Sequence, residues 1–390
     1  MQLKMRKQLG QICLFLALGW LTLNVSAAVQ VEGLYEVEVP IVNQTRQERK
    51  RALRQGMADL ITRLTGSQAM EEFGQLLNVL DRAPRYVEQY RYRTKDNPGA
   101  EPGQKPDRLL WVRFNRKSIL KLLRDQQLPL WGSTRPETLV WIAAQDQEGR
   151  RVLAADQDNV FYRSVLTHAR RRGVPILVPI MDLEDQRGVS IGDIWGGFSG
   201  SIKQASIRYA TDNILIGRVF QVKRGWESRW TLITKSGEQH WSGSGREIDK
   251  AVAIGFDGLG DLMASRYALK STHETSRYNL KIAAVNSLQD FAKAGQYLSN
   301  VSQITRFQPI YFKQGYATFA IELSGAVKDL QRVLKLEQRL LVEDEVIEIQ
   351  PVIQPNPVPV VDAVIDPAAA NQTAVVPAPD IKTFYYRLRP

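Results

Sequence analysis

The side chains that most often bind metals or activate nucleophiles are scarce in this chain of 390 residues. Its three histidines, His168, His240 and His273, have no second His or Cys at the spacing of a metal-ligand pair. Because a structural zinc site needs four such ligands, we predict no metal site and no cofactor.

Serine and phosphate chemistry also lacks local motifs. The run from Gly197 to Ser201 reads GFSGS and so misses the final glycine of G-x-S-x-G. The glycines around Trp195 are not followed by the Gly-Lys-Ser/Thr of a P-loop. A Ser-His-Asp triad stays open, because geometry and not chain order defines it. We predict no catalytic residue, and the sequence favours a non-enzymatic protein without excluding an enzyme.

One acidic cluster could hold a cation. Asp182, Glu184 and Asp185 lie close together in a predicted loop. They lack the glycine and the distal glutamate of an EF-hand loop. A solvated acidic turn is therefore the favoured interpretation.

Tryptophans and arginines supply a candidate interaction surface. Aromatic side chains on a predicted hairpin could stack on sugar rings, although tryptophan more often fills a core because it buries much apolar area. A run of arginines ends a predicted helix, where the helix dipole favours cations. The candidate residues are Arg170, Arg171, Arg172, Trp195, Trp226, Trp230 and Trp241.

The N-terminus predicts the compartment in which these residues work. Lys4, Arg6 and Lys7 precede an apolar run that ends in small residues at Ser26, Ala27 and Ala28. This is the pattern of a secretory signal peptide, so we predict cleavage near Ala27 and a periplasmic, disulfide-free protein with no transmembrane anchor after cleavage. An uncleaved N-terminal anchor is the alternative.

Charge narrows the class of partner. The formal net charge is +11, and removal of three basic residues with the signal leaves about +8. Such an excess favours anionic partners. Because an exported chain rarely meets nucleic acid, we expect an acidic envelope protein or an anionic envelope polymer instead.

The elements that must position these residues form several α+β domains with small mixed or antiparallel sheets. In the first domain a capping box at Thr45-Arg46-Gln47-Glu48 predicts a helix, with a basic face opposite its apolar stripe. That face could be a docking surface or merely solvated. The predicted ranges are 1–27 for the signal, 28–134 and 135–272 for two α+β domains, 273–348 for a ferredoxin-like βαββαβ domain, and 349–390 for a flexible Pro-rich tail.

Several short segments resemble a family of uncharacterised exported proteins of gammaproteobacteria, the domain-of-unknown-function family numbered 2066. The resemblance implies an exported α+β protein and brings no activity, cofactor or site residue. The segments that carry it are Tyr35 to Pro40, Arg63 to Ser67, Arg135 to Trp141, Arg172 to Pro175 and Ala205 to Tyr209.

Two functions therefore remain. The first is a non-enzymatic envelope factor that binds a protein or an anionic polymer through a basic surface. The second is a glycan-binding module or glycan-acting enzyme that uses Trp195 and the Trp-rich hairpin of the central domain.

Overall fold

The computed structural model describes residues 28–66, 76–95, 107–155, 159–270, 275–313, 315–337, 340–342 and 381–389. They fall into two compact units with the boundary between Lys270 and Ser271. The predicted signal peptide and most of the predicted tail lie outside the described residues. Helices with several small mixed or antiparallel sheets confirm the predicted α+β multidomain fold class. The predicted domain boundaries within the first unit stay predictions.

After a short first strand, the first unit continues in the order β-α-α-β-β-α. Its elements are β1 (Ala28–Gln30), β2 (Glu36–Pro40), α1 (Arg46–Thr65), α2 (Leu76–Asp81), a 3₁₀ turn (Ala83–Tyr86), β3 (Val87–Lys95), β4 (Asp107–Phe114) and α3 (Arg116–Asp125). Three strands form an antiparallel sheet in the order β2-β4-β3. One face of this sheet packs with the helices into a single apolar core.

Helix α1 begins where the sequence predicts. The Thr45 hydroxyl accepts a hydrogen bond from the backbone N–H of Glu48. The predicted return bond from Glu48 to Thr45 is wrong, because the Asn43 side chain already accepts from the Thr45 N–H. The Glu48 carboxylate instead accepts from the Val42 N–H and pairs with Arg51.

A mixed sheet with helices on both faces forms the rest of the first unit. Strands β7, β10, β11 and β12 are its centre and one edge. Alternating apolar residues over 213–245 predict an antiparallel meander, and β10, β11 and β12 confirm it. The elements are β5 (Pro129–Leu130), β6 (Thr134–Pro136), β7 (Thr138–Asp146), β8 (Gly149–Val152), α4 (Val160–Arg172), β9 (Ile176–Leu177), α5 (Leu183–Gly188), α6 (Ile191–Gly196), α7 (Ser199–Ser206), a 3₁₀ turn (Ile207–Tyr209), β10 (Asn213–Val222), β11 (Gly225–Thr234), β12 (Gly237–Gly245), α8 (Ile248–Tyr267) and β13 (Leu269–Lys270).

The two faces of this sheet have separate cores. Helices α4 and α8 cover one face, and α6 and α7 cover the other. Strand β7 is buried on both sides, which explains its unbroken apolar run from Leu139 to Ala144. The apolar run from Ile176 to Ile180 predicts a strand, but this prediction is wrong beyond Leu177, since Pro179 has no N–H to donate to a ladder.

The second unit has the predicted order β-α-β-β-α-β followed by one further strand. Its elements are β14 (Thr275–Val285), α9 (Leu288–Asn300), β15 (Ile304–Lys313), β16 (Gly315–Ser324), α10 (Val327–Glu337), β17 (Leu340–Val342) and β18 (Thr383–Leu388). The sheet order is β15-β16-β14-β18-β17.

Strand β18 changes the predicted ferredoxin-like arrangement. It runs parallel to β14 and antiparallel to β17, so it separates the first and fourth strands of that motif. The expected fraying of this terminal segment is wrong. Phe384, Tyr386 and Leu388 alternate toward the core, and Tyr386 is buried there.

Candidate functional site

The three predicted surface arginines at the end of α4 do not share one environment. Arg172 is only 1% exposed and donates to the Gly66 carbonyl and the Asp261 carboxylate. Arg171 is half-buried and pairs with Asp257. Only Arg170 of the three is exposed. The prediction that Arg172 belongs to a candidate interaction surface is therefore wrong, because its side chain is buried and links α1, α4 and α8.

A second buried arginine explains why α1 and α4 meet. Arg135 is fully buried, and its guanidinium donates to five carbonyl oxygens, those of Arg63, Trp131, Gly132, Arg172 and Gly173. Three of these carbonyls belong to the ends of α1 and α4, where the helix dipoles favour a cation. Arg135 is thus a structural residue.

The tryptophans of the predicted hairpin pack into the core. Trp226, Trp230 and Trp241 lie on the sheet face covered by α8. Trp230 is 1% exposed, and a Cβ added at Gly255 of α8 would lie 2.2 Å from its ring. The Trp241 indole N–H donates to a carbonyl of α8. Trp230 therefore fills the interior, whereas Trp226 and Trp241 are half-buried and pack against the same core.

Trp195 lies on the opposite face of the same sheet. Its ring contacts Phe220 edge-on and lies under the guanidinium of Arg150, at 4.2 Å from the ring centroid. The structure therefore does not bring Trp195 together with the hairpin tryptophans, and the predicted joint glycan site is not formed.

A serine, a histidine and an aspartate do meet, but not in the order of a catalytic triad. Ser164 and His168, one turn apart on α4, both contact the same oxygen of Asp249, at 2.7 and 3.0 Å. A triad needs the histidine between the nucleophile and the acid. This trio instead fastens α4 to the first turn of α8.

The acidic cluster is occupied by protein partners. Asp182 caps α5 and forms a bidentate pair with Arg208. Asp185 is fully buried and accepts from Arg208, from the Tyr209 hydroxyl and from a backbone N–H. The predicted solvated acidic turn is wrong, because the cluster opens a helix and neutralises Arg208. No group of acidic, His or Cys side chains able to hold a metal occurs among the described residues.

The first three-stranded sheet and α1 form a different charged surface, which we call the basic–aromatic surface. It comprises Arg46, Arg49, Lys50, Tyr90 and Tyr92. The Arg49 guanidinium donates to the Tyr92 hydroxyl and lies 5.6 Å from the Tyr90 ring centroid. Tyr90 is 44% exposed. The two tyrosines pack edge to face, 6.1 Å apart, and so hold Arg49 at the surface.

The cations of this surface sit where a helix by itself disfavours them. Arg46, Arg49 and Lys50 occupy the first two turns of α1, beside the positive end of its dipole. Farther along, Arg51 and Arg54 are paired with Glu48 and Asp81. Arg46 and Lys50 are exposed and form no ion pair with any described residue.

The outer face of the same sheet carries a second group of arginines. Arg91, Arg93 and Arg113 surround the Trp111 ring, with guanidinium carbons 5.0 to 5.7 Å from its centroid. Arg93 and Arg113 also pair with Glu38 and Glu36. Arg91 forms no ion pair with any described residue.

Sequence reasoning found the basic helix face but missed its aromatic partners. The alternating run from Tyr86 to Arg93 predicts a strand, and its tyrosines and arginines do fall on opposite faces. The signal was therefore present in the alternation. What the sequence could not show is that Tyr90 and Tyr92 meet Arg49, because that contact depends on how α1 packs on the sheet.

Comparison with known proteins gives one match. A family model described as a domain of unknown function, DUF8605, matches residues 28–132, which include the basic–aromatic surface. The resemblance to family 2066 is therefore wrong. Several residues that suggested it, such as Arg135 and Gly173, serve helix ends and buried contacts, and such local requirements recur in unrelated proteins. No curated protein and no solved structure matches the chain.

The segment that matches the family model also carries much of the positive charge of the chain. Residues 28–132 contain 18 Lys or Arg and 13 Asp or Glu, and so carry more than half of the basic excess left after the predicted signal peptide. No helix within the described ranges is both long and apolar enough to span a bilayer.

Proposed function

We propose that this protein is a non-enzymatic binding factor of the bacterial cell envelope that contacts an anionic partner, an acidic protein or an anionic envelope polymer. Contact is made through the basic–aromatic surface. The observation that carries the proposal is the placement of Arg46, Arg49 and Lys50 in the first two turns of α1. A bound anion there is attracted by the side chains and by the helix dipole together.

The aromatic part of the surface supports binding rather than simple solvation. Arg49 is held by Tyr92 and Tyr90, so it loses little side-chain freedom when an anion binds. A guanidinium also presents several donors in a fixed plane, which suits carboxylate and phosphate groups. Arg46 and Lys50 extend the same charge into solvent.

The predicted secretory signal supports the compartment. Its basic, apolar and small-residue segments direct the chain to the periplasm on the sequence evidence. There the protein works without a transmembrane anchor, without nucleic acid and without a cofactor in this proposal.

A crosslinking capture from intact envelope tests the proposal. The mature protein is compared with Arg46→Glu/Lys50→Glu and with a control, Lys223→Glu/Arg224→Glu, which makes the same charge change in the exposed β10–β11 turn. We expect the control to capture the same partner as the wild type, and the surface variant to capture at least about fivefold less, as lost phosphate or carboxylate contacts imply. Equal capture by all three proteins contradicts the proposal.

A further inference from the structure

Among the residues that the structure describes, strand β3 is a long edge strand with no partner on one side. It pairs with β4 along its whole length of nine residues. On its other side, no described residue bonds to its backbone. Tyr90, Arg91, Arg93 and Thr94 are exposed, so both faces of the sheet carry solvent-accessible side chains at this edge. An open edge of this length offers a row of N–H and C=O groups to another extended chain.

The opposite edge of the same sheet differs, because other groups of the protein bond to the beginning of β2 and to the segment before it. At β2, the Arg63 guanidinium donates to the carbonyls of Leu34 and Glu36. The Val31 N–H, just before β2, donates to the Ser133 carbonyl. Other groups of the protein therefore occupy the N-terminal part of the β2 edge, whereas no described residue bonds to the open side of β3.

Charge identifies the occupant of the open edge. A strand added beside β3 would send alternate side chains to the two faces of the sheet. On the outer face they would meet Arg91 and Arg93. On the face of α1 they would meet Arg49, with Arg46 and Lys50 beyond it. Cations border the edge on both faces, so a segment rich in Asp and Glu fits it.

We propose that β3 binds an acidic, extended peptide segment of a partner protein by strand addition. This inference rests on the proposed function and specifies its partner and binding mode. Main-chain hydrogen bonds provide affinity in such complexes, and side chains on the two faces provide selectivity. Arginines on an edge strand can also serve only to prevent aggregation, but that role does not account for the cations of α1.

Fluorescence anisotropy with labelled octapeptides tests the inference on residues 28–390. The probe alternates Glu and Val. One comparison peptide has the same sequence with alternate backbone nitrogens methylated, and the other alternates Lys and Val. We expect the Glu-Val peptide to bind, the Lys-Val peptide not to bind, and methylation to weaken binding at least about tenfold through lost hydrogen bonds. Hydrogen exchange over residues 87–95 should slow when the Glu-Val peptide binds.

Variants separate this inference from the proposed function. Arg91→Glu/Arg93→Glu should weaken binding of the Glu-Val peptide at least about tenfold. Lys223→Glu/Arg224→Glu should leave the affinity for that peptide unchanged. Equal binding of the methylated peptide, or unchanged exchange over 87–95, overturns strand addition and leaves the proposed function standing. If the protein binds inorganic polyphosphate but not the acidic peptide, strand addition is likewise overturned and the proposed function stands. If the protein binds neither the acidic peptide, nor polyphosphate, nor anionic vesicles, both strand addition and the proposed function are overturned.

Discussion

At the scale of single residues, the first unit depends on buried arginines that have few acidic partners. Arg135 places its charge among five carbonyl oxygens and stacks on Trp131, 3.8 Å from the ring centroid. Burial lowers the pKa of Arg135, and the nearby Arg63 and Arg172 lower it further, yet a guanidinium stays protonated in proteins. The carbonyl dipoles of two helix ends take the role of a counter-charge.

Removing Arg135 should therefore destabilise the unit strongly. In Arg135→Ala, five carbonyls lose their donor in the interior, and we expect the free energy of unfolding to fall by on the order of 3 kcal/mol or more. Arg170→Ala removes an exposed arginine from the neighbouring helix end and should change it by less than about 0.5 kcal/mol. Urea denaturation measures both, and similar values for the two variants would show that Arg135 is not an anchor.

A pH dependence follows from the Asp182–Arg208 pair. Hydrogen bonds from Arg208 and from the Asp185 N–H lower the pKa of Asp182 in the folded state. A lowered folded pKa stabilises the protein above the unfolded value, about 3.9, and this stabilisation is lost as the pH falls below it. Asp182→Asn should lower the melting temperature at pH 7, and the difference from the wild type should narrow progressively as the pH falls from about 4 to 3 without vanishing there, because the folded pKa lies well below the unfolded one. A constant difference across this range would contradict the assignment.

At the scale of elements, β18 shows how a terminal segment becomes central to a sheet. Only six residues form it, but they lie between β14 and β17 and place Tyr386 in the core. Alternation within Phe384 to Leu388 was visible in the sequence. The proline-rich composition before it pointed the other way, and no local pattern states that a distant strand will accept a partner.

Tyr386 and its neighbour give a matched test of this insertion. Tyr386→Ala removes a buried ring and should lower the stability of the second unit by on the order of 3 to 4 kcal/mol. Tyr385→Ala removes a half-buried ring on the other face, with an expected loss below about 1 kcal/mol. Hydrogen exchange of the β14 amides reports the second unit directly. Equal losses of stability in the two variants would contradict the placement of Tyr386 in the core and of Tyr385 on the other face.

Local signals predicted most elements, and contacts distant in the chain accounted for most errors. Thr45 begins α1 where the sequence predicts it, and Gly66 and Gly173 end α1 and α4 as glycine commonly does, because caps need only neighbouring residues. Asp182 was assigned to a loop although the same residue type caps helices. Arg172 was assigned to the surface because its burial depends on α1 and α8, which lie far away in the chain.

At the scale of the whole molecule, the sequence predicts a basic protein but does not show which of its cations stay exposed and unpaired after folding. The arginine run at Arg170 drew attention because three cations are adjacent there, whereas the structure uses two of them internally. Arg46 and Lys50 remain at the surface because α1 turns its apolar stripe to the sheet. Cations that are adjacent in the sequence are therefore a weaker guide to an exposed basic surface than cations that stay unpaired after packing.

The most direct test of the central claim measures stability and binding on the same variant. Arg46→Glu/Lys50→Glu replaces cations by anions at the positive end of α1, so the melting temperature should stay the same or rise. Binding of the acidic octapeptide should fall at least about tenfold and lose most of its salt dependence. Unchanged binding together with a clear fall in melting temperature would show that these cations serve the fold, and would contradict the account.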